Sequence, residues 1–405
     1  MDIQISNFLK ILKKVFDEKK DISLEEPVDW ERMSRIAREQ NLLPLFFEAA
    51  CTNEQYAKTS VFVKDQMDTF SMVAEQIQRS NALLEVYEKI SAQGIYPIVM
   101  KGLVCRQLYG ELGEHRPSGD EDLLVEEKDF YTVKEILEQE GYICGRPDIT
   151  PKELAQVKDV SFRNPMRKLL LEVHIEAIGR ANEERAQMND LFPKAHEHGQ
   201  IIQIYGIDVK SFEPTELLLF LILHAYKHFQ YRGVGIRQAL DILLCYKEYK
   251  DKISMERLHK ALKICKAETF WLDILFIGNK YLGIIEEIPE ITCCPEVLLQ
   301  DMIEVGVFGK SDMNDCIAAS VQFSMRDQKR KHSKLHILFS AAFPSKKVLQ
   351  GGYPFLVEQP WRLPMVWVKR WFKFIQYAKK DVWKISNDIL QKSSARMEIT
   401  KKYKK

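Results

Sequence analysis

The chain has 405 residues, 46% hydrophobic and 29% charged, with a net charge of +1. That length suffices for two or three domains with sizeable cores, the composition excludes disorder as the default state, and the near-zero charge excludes a global argument for nucleic-acid or membrane binding. The charge is nonetheless uneven: from Trp361 onward thirteen Lys/Arg stand against three acids, so an acidic body precedes a basic tail.

The first ninety residues read as helices. One is expected over Ile5–Lys19, and a second, N-capped by Asp29 after Pro27, over the stretch to Ala50; a third spans Gln55–Ala92 and stops at Gly94. The texture then changes. Ile95–Met100 is an apolar run, Gly102–Tyr109 a short helix, His115–Gly119 a polar loop, Asp120–Val125 a strand, and Asp129–Glu140 a helix ended by Gly141. Two further strands, Lys158–Arg163 and Lys168–Ile175, flank a turn at Asn164-Pro165. Ile201–Ile204 and Ile207–Val209 make a hairpin about Tyr205-Gly206. From Glu213 the pattern is helical through Met325. A basic loop, Arg326–Lys334, a Pro- and Gly-marked connector, Phe343–Pro364, a last helix, Met365–Leu390, and a basic tail complete the chain.

The eight cysteines are scattered apart from Cys293-Cys294, and Cys105, Cys245 and Cys265 sit in apolar helical patterns; free thiols in a reducing compartment are expected. The opening Met-Asp-Ile-Gln lacks the layout of a secretory leader, and the longest apolar run, Leu217–Leu223, is too short to span a bilayer, so a cytoplasmic location and no transmembrane segment are expected. No phosphate loop, Gly-x-Gly-x-x-Gly or nucleophile motif occurs, which disfavours covalent catalysis and dinucleotide binding.

Three stretches carry chemistry. Lys101-Gly102 stands where a strand turns into a helix, a place where backbone N–H groups and the helix dipole favour an anion and the lysine adds a full charge. In the strand that opens Asp120-Glu121-Asp122, residues two apart share a face, so Asp120 and Asp122 converge as a pair of hard cations requires. Glu172, on a later strand, supplies a third carboxylate, and His174 shares its face, either as a proton shuttle or, as favoured, as a hydrogen-bonding support for Glu172. Each stretch is common alone; their order is more specific.

In Lys101, Gly102, Arg116, Asp120, Asp122, Glu172 and His174 the chain resembles the polymerase-β-type nucleotidyltransferase superfamily, and within it the bacterial uncharacterised nucleotidyltransferase-like family. His224, His228, Arg237, Asp241, Tyr353-Pro354 and Pro364–Arg370 resemble later landmarks of that family. The resemblance implies an α+β fold in which a minimal nucleotidyltransferase core, a small mixed sheet with helices, lies between N-terminal helices and a larger C-terminal helical region. The expected divisions are 1–94, 95–210, 211–342 and 343–405. It implies a two-metal transfer, with Asp120, Asp122 and Glu172 as catalytic residues and ligands of Mg²⁺ or Mn²⁺, and with Lys101, Gly102, Arg116, Ser118, His174, His228 and Arg237 on nucleotide and phosphate.

Two departures accompany it. Leu103 follows the glycine where the superfamily has Ser or Gly, and Glu121 stands between the aspartates where an apolar residue is usual. A charge there is costly on a central strand, so either the strand end is open to solvent or Glu121 takes part in the site. The donor is then a nucleotide or a sugar nucleotide, the acceptor a hydroxyl or phosphate on an unidentified molecule, a peptide or glycan by analogy. Alternatives are a sugar-nucleotide-dependent glycosyl-type transferase, a non-catalytic nucleotide-binding module, and a toxin-like modifier of RNA or protein.

Elsewhere, His224 and His228 at i, i+4 are read as satisfied helix histidines or phosphate contacts together with Arg232 and Arg237, rather than zinc ligands, and Arg237–Asp241 as a structural helical ion pair. The C-terminal stripe Trp367, Trp371, Phe374 and Ala378, with Lys369, Arg370, Lys373 and Lys380 around it, either docks on the protein's own core or meets an anionic partner.

Overall fold

The computed structural model describes residues 2–16, 23–180, 183–286, 292–306, 343–349, 353–356, 358–377, 396 and 398–403. Its N-terminal layer is helical because apolar residues recur at helical spacing: α1 (Ile3–Phe16) buries Ile5, Phe8, Leu9 and Leu12. Asp29 caps α2 (Trp30–Glu39), its side chain accepting from the Arg32 N–H at 2.9 Å. The single helix expected to Ala50 is two, because Asn41 takes a left-handed φ of 52° and Pro44 restarts the chain as α3 (Leu43–Ala50). The expected third helix is likewise split, into α4 (Glu54–Ala57) and the 30-residue α5 (Phe62–Ser91).

A seven-stranded mixed sheet follows, of strands β1 (Ile98–Val99), β2 (Glu121–Leu124), β3 (Ile143–Cys144), β4 (Asp159–Asn164), β5 (Leu169–His174), β6 (Gln200–Ile204) and β7 (Ile207–Ser211). Their spatial order is β3-β4-β5-β2-β1-β7-β6. The pairs β2/β5 and β1/β7 are parallel and the other four antiparallel. The hairpin between β6 and β7 turns on Tyr205 (φ 51°) and Gly206 (φ 82°), the two positive values a tight hairpin requires. Short helices α6 (Leu103–Gln107), α7 (Phe130–Gln139), α8 (Pro151–Leu154), α9 (Glu183–Asn189) and α10 (Ala195–His198) connect the strands.

Helix α5 clamps the sheet from the N-terminal side. The Tyr87 hydroxyl donates to the Pro97 carbonyl (3.0 Å) and accepts from the Lys210 N–H (2.9 Å), joining the entry to β1 with the end of β7. Arg79 donates to the carbonyls of Ser118 (2.7 Å) and Lys168 (3.0 Å), fixing the segments that enter β2 and β5. The C-terminal helical region comprises α11 (Pro214–Tyr231), α12 (Ile236–Tyr249), α13 (Met255–Ile264), α14 (Glu268–Ile277) and α15 (Pro295–Val305). Helix α11 is buried on nearly every face, and one continuous apolar core runs from Ile5 through the sheet to these helices. This is the expected α+β architecture. Among the described residues no helix is long and apolar enough to cross a membrane.

The remainder of the expected helical run to Met325 and the basic loop Arg326–Lys334 lie outside the described residues, as does 378–395 of the expected last helix. The described part, Leu363–Tyr377, buries Val366 against Leu349 and Leu356, and its Trp367 indole donates to the Pro344 carbonyl at 2.9 Å. Trp371 is 44% exposed; the side chains of Lys373 and Phe374 are not among those described, nor are Ala378 and Lys380.

Candidate active site

Alternation along β2 sends Asp122 to one face and Glu121 to the other. The parallel pairing of β2 with β5 sets Asp122 opposite Glu172 and Leu124 opposite His174, so two distant segments deliver Asp122, Glu172 and His174 to one spot. Their ligating atoms lie within 4.8 Å of one another, a spacing that can hold a metal ion. His174, fully buried in the sheet, brings Nε2 to 2.8 Å from Asp122 Oδ1 and 3.4 Å from Glu172 Oε2, while its Nδ1 lies 3.3 Å from the Glu176 carbonyl.

Burial, and then the positive charge of Lys158, push the His174 imidazole down to about 4, so the ring is neutral near pH 7. A neutral ring has one N–H: on Nε2 it donates to the carboxylates, and on Nδ1 it donates to the Glu176 carbonyl and leaves Nε2 free as a ligand. The hydrogen bond from His174 is the main cause holding Glu172 below the usual carboxylate range, against burial and with help from Lys158, 3.9 Å away. Asp120 stands beside this trio, a third exposed, with Lys101 Nζ at 3.4 Å. Burial opposes its ionisation, but Lys101, then Arg237 and Arg116, hold its carboxyl below the ordinary value.

Lys101 Nζ also lies 2.9 Å from Asp122 Oδ2, an ion pair off the line of a hydrogen bond, so this buried oxygen has no hydrogen-bond donor. A buried carboxylate oxygen with no donor, the Glu172 carboxylate and an imidazole are a donor set suited to a hard or borderline divalent cation, and Asp120 lies outside that grouping. The residues present therefore fit the expected metal.

Asp120 and Glu172 form part of one wall of a cleft of about 400 Å³. Asp120, Asp159 and Glu172 line it on the sheet side, together with Lys101 and Lys158. Helices α11 and α12 face them with His224, Lys227, His228 and Arg237, and Arg232 from the bend between them. A negative patch for cations and, in Arg232 and Arg237, positive charge for phosphate oxygens thus share one opening.

Other expected residues have different roles. The Leu103 N–H at the start of α6 already has an anion: Glu121 Oε2 accepts from it at 2.8 Å. Gly102 (φ 60°) is required because a Cβ there would lie 1.9 Å from that oxygen. The Ser118 hydroxyl donates to Glu121 Oε1 (2.7 Å) and accepts from Arg106 (2.8 Å), and Ser118 is not among the residues that line the cleft. Glu121 itself is buried, pairs with fully buried Arg106 at 2.8 Å, and stays out of the site.

Asp241 is held by Arg116 through two contacts (2.9 and 2.5 Å) and by the Tyr109 hydroxyl (2.9 Å), not by Arg237 as the helical spacing suggested. Arg237 instead donates to the Pro117 carbonyl. His224 and His228 face each other, Nε2 to Nε2 at 3.3 Å, and among the described residues no candidate metal grouping includes them. Lys158 and Asp159 are cleft residues that sequence reasoning missed: they begin a strand, where charged residues are routine, and only the β4/β5 pairing turns them toward Glu172.

A family model described as uncharacterised nucleotidyltransferase matches residues 26–283, more than half of the chain and all of the elements that build the cleft. Nothing among curated proteins or solved structures matches the chain.

Proposed function

The chain belongs to the uncharacterised nucleotidyltransferase family, and from that premise we propose that it is a metal-dependent transferase moving a nucleotidyl, or related phosphorylated, group from a nucleotide donor to an acceptor hydroxyl or phosphate. The observation that carries this reading is the grouping of Asp122, Glu172 and His174 behind a cleft that Glu172 and Asp120 line on one side and Arg232 and Arg237 on the other. A divalent cation held by Asp122, Glu172 and Asp120, with His174 beside them, would supply Lewis-acid stabilisation of charge on the reacting oxygens.

The chain's own groups do the rest. The acceptor oxygen forms a bond to the donor's α-phosphorus as the bond to the departing pyrophosphate oxygen breaks. The acceptor proton passes to Glu172, which is kept ionised for that task. Lys101 and Arg237 face the negative charge that gathers on the leaving phosphates, and Arg116, tied to Asp241, keeps the loop before β2 in place. His174 positions Asp122 and Glu172 by hydrogen bonding.

Incubation with Mg²⁺ or Mn²⁺ and each nucleoside triphosphate, with pyrophosphate release as the readout, tests the proposal. Wild-type protein is expected to release pyrophosphate, and Asp122→Asn to lose about three orders of magnitude in rate while keeping its fold. Transfer from a sugar nucleotide with no pyrophosphate would instead select the glycosyl-type reading. Nucleotide binding without turnover would leave a binding module.

A further inference from the structure

We propose that the Glu172 side of the cleft contains a second oxyanion subsite, centred on Lys227, that holds a negatively charged group carried by the acceptor. The role assigned to this group rests on the transferase reading above. Lys227 is 92% buried, being 8% exposed, yet it lines the cleft and makes no hydrogen bond or ion pair among the described residues. A buried lysine without a partner is destabilising unless a ligand completes it. Nothing in the core of α11 requires it: its neighbours Leu223, Ala225, Tyr226 and Phe229 are buried apolar or aromatic residues.

The surrounding charges say which kind of ligand completes it. Burial first, and then the positive charges of Lys158, Arg185 and Lys101, hold the Lys227 ammonium well below its ordinary range, with Asp159 the opposing carboxylate. Cations gathered around an unpaired amine form a pocket for an anion, which restores the proton to Lys227 as it binds.

Of the other cleft cations, Arg232 is exposed to solvent and three more are already engaged. Lys101 lies between Asp120 and Asp122, Arg116 is clasped to Asp241, and Arg237 donates to the Pro117 carbonyl. Lys158, the positive neighbour with the largest effect on Lys227, is also the lysine beside Glu172. Since Glu172 takes the acceptor proton in the proposed reaction, the anion that Lys227 awaits belongs to the acceptor, next to its attacking oxygen. Phosphoryl and carboxyl groups both have the required chemistry.

The test uses the full chain saturated with Mg²⁺ and a non-hydrolysable nucleoside triphosphate analogue, titrated calorimetrically with inorganic phosphate and, separately, with acetate. Wild-type protein is expected to take up one of these anions while the analogue stays bound; the tighter of the two identifies a phosphoryl or a carboxyl acceptor. Lys227→Met should weaken that binding about tenfold or more, Lys227→Arg should retain part of it, and both should bind the analogue within about twofold of wild type. The melting temperature of Lys227→Met should equal or exceed that of wild type, which guards against reading a misfolded variant.

Unchanged anion binding in Lys227→Met, or displacement of the anion by the analogue, would overturn the proposal. So would a parallel loss of analogue affinity, which would place Lys227 on the donor. A wild-type chain that binds no nucleotide would sink the transferase reading, yet the phosphate and acetate titrations of the chain alone still decide whether Lys227 marks an oxyanion subsite.

Discussion

Glu121 shows what a single residue can hide. Its neighbours in sequence announce a carboxylate site, in which it would be either solvated or a participant. The structure buries it on the opposite face of β2, where Arg106, Ser118 and the Leu103 N–H share its two oxygens. The compensating arginine lies on α6, 15 residues away in sequence, and nothing in the local pattern reveals that pairing. Removing one partner of a buried ion pair leaves the other uncompensated, so Glu121→Ala should lower the unfolding free energy by about 3–5 kcal/mol in urea titrations. An effect within about 0.5 kcal/mol would mean that Arg106 finds other partners. The carboxylates of the cleft were legible for the opposite reason: strand periodicity alone places Asp120 and Asp122 on one face, and Glu172 and His174 on another strand's face. Legibility stopped at Gly102 and Ser118, where a helix-end glycine and a loop serine look alike whether the anion is a ligand or the protein's own side chain.

At the scale of elements, strong period and good punctuation made α1, α7, α11, β4 to β7 and the end of α5 readable within a few residues. Short pieces were not. Two-residue β3 between Gly141 and Gly145 has no run to detect, and α9 and α10 contain too few apolar residues to show a face. The break between α2 and α3 turned on Asn41 adopting a left-handed conformation, which Asn tolerates but does not advertise. The β6–β7 turn offers a clean measurement of such a conformation. An added Cβ at Gly206 would meet nothing within 4 Å, so Gly206→Ala isolates the backbone cost of its positive φ. A loss of about 1 kcal/mol is expected by thermal or chemical melting. No loss would show that the hairpin relaxes freely at the sheet edge.

For the whole molecule, α11 is where the fold and the cleft meet, and its charges set the acid limit of stability. Burial first, then Lys227 and Lys101, hold His224 and His228 well below the ordinary histidine value of 6.5. Both rings are thus neutral in the folded chain while their unfolded counterparts take protons below that pH. The unfolded state then binds more protons, so stability is retained above pH 6.5 and lost as pH falls beneath it. Melting temperatures should drop between pH 7.5 and 5.5, and replacing both histidines with Gln should flatten that slope. An equal slope in the variant would assign the acid sensitivity elsewhere.

The parallel register of β2 and β5 has one more implication. Along β5, Leu169, Leu171 and Val173 fill the core while Glu172 stands in the cleft, so a shift by one position would drive a carboxylate into hydrocarbon and strand a valine in water. Selection for a well-packed interior and selection for an aligned set of ligands therefore act on the same alignment of two chain segments. A lineage could drift widely in its helices and loops and still keep the chemistry in alignment, because the strand pairing that lets the chain fold also assembles its reactive groups.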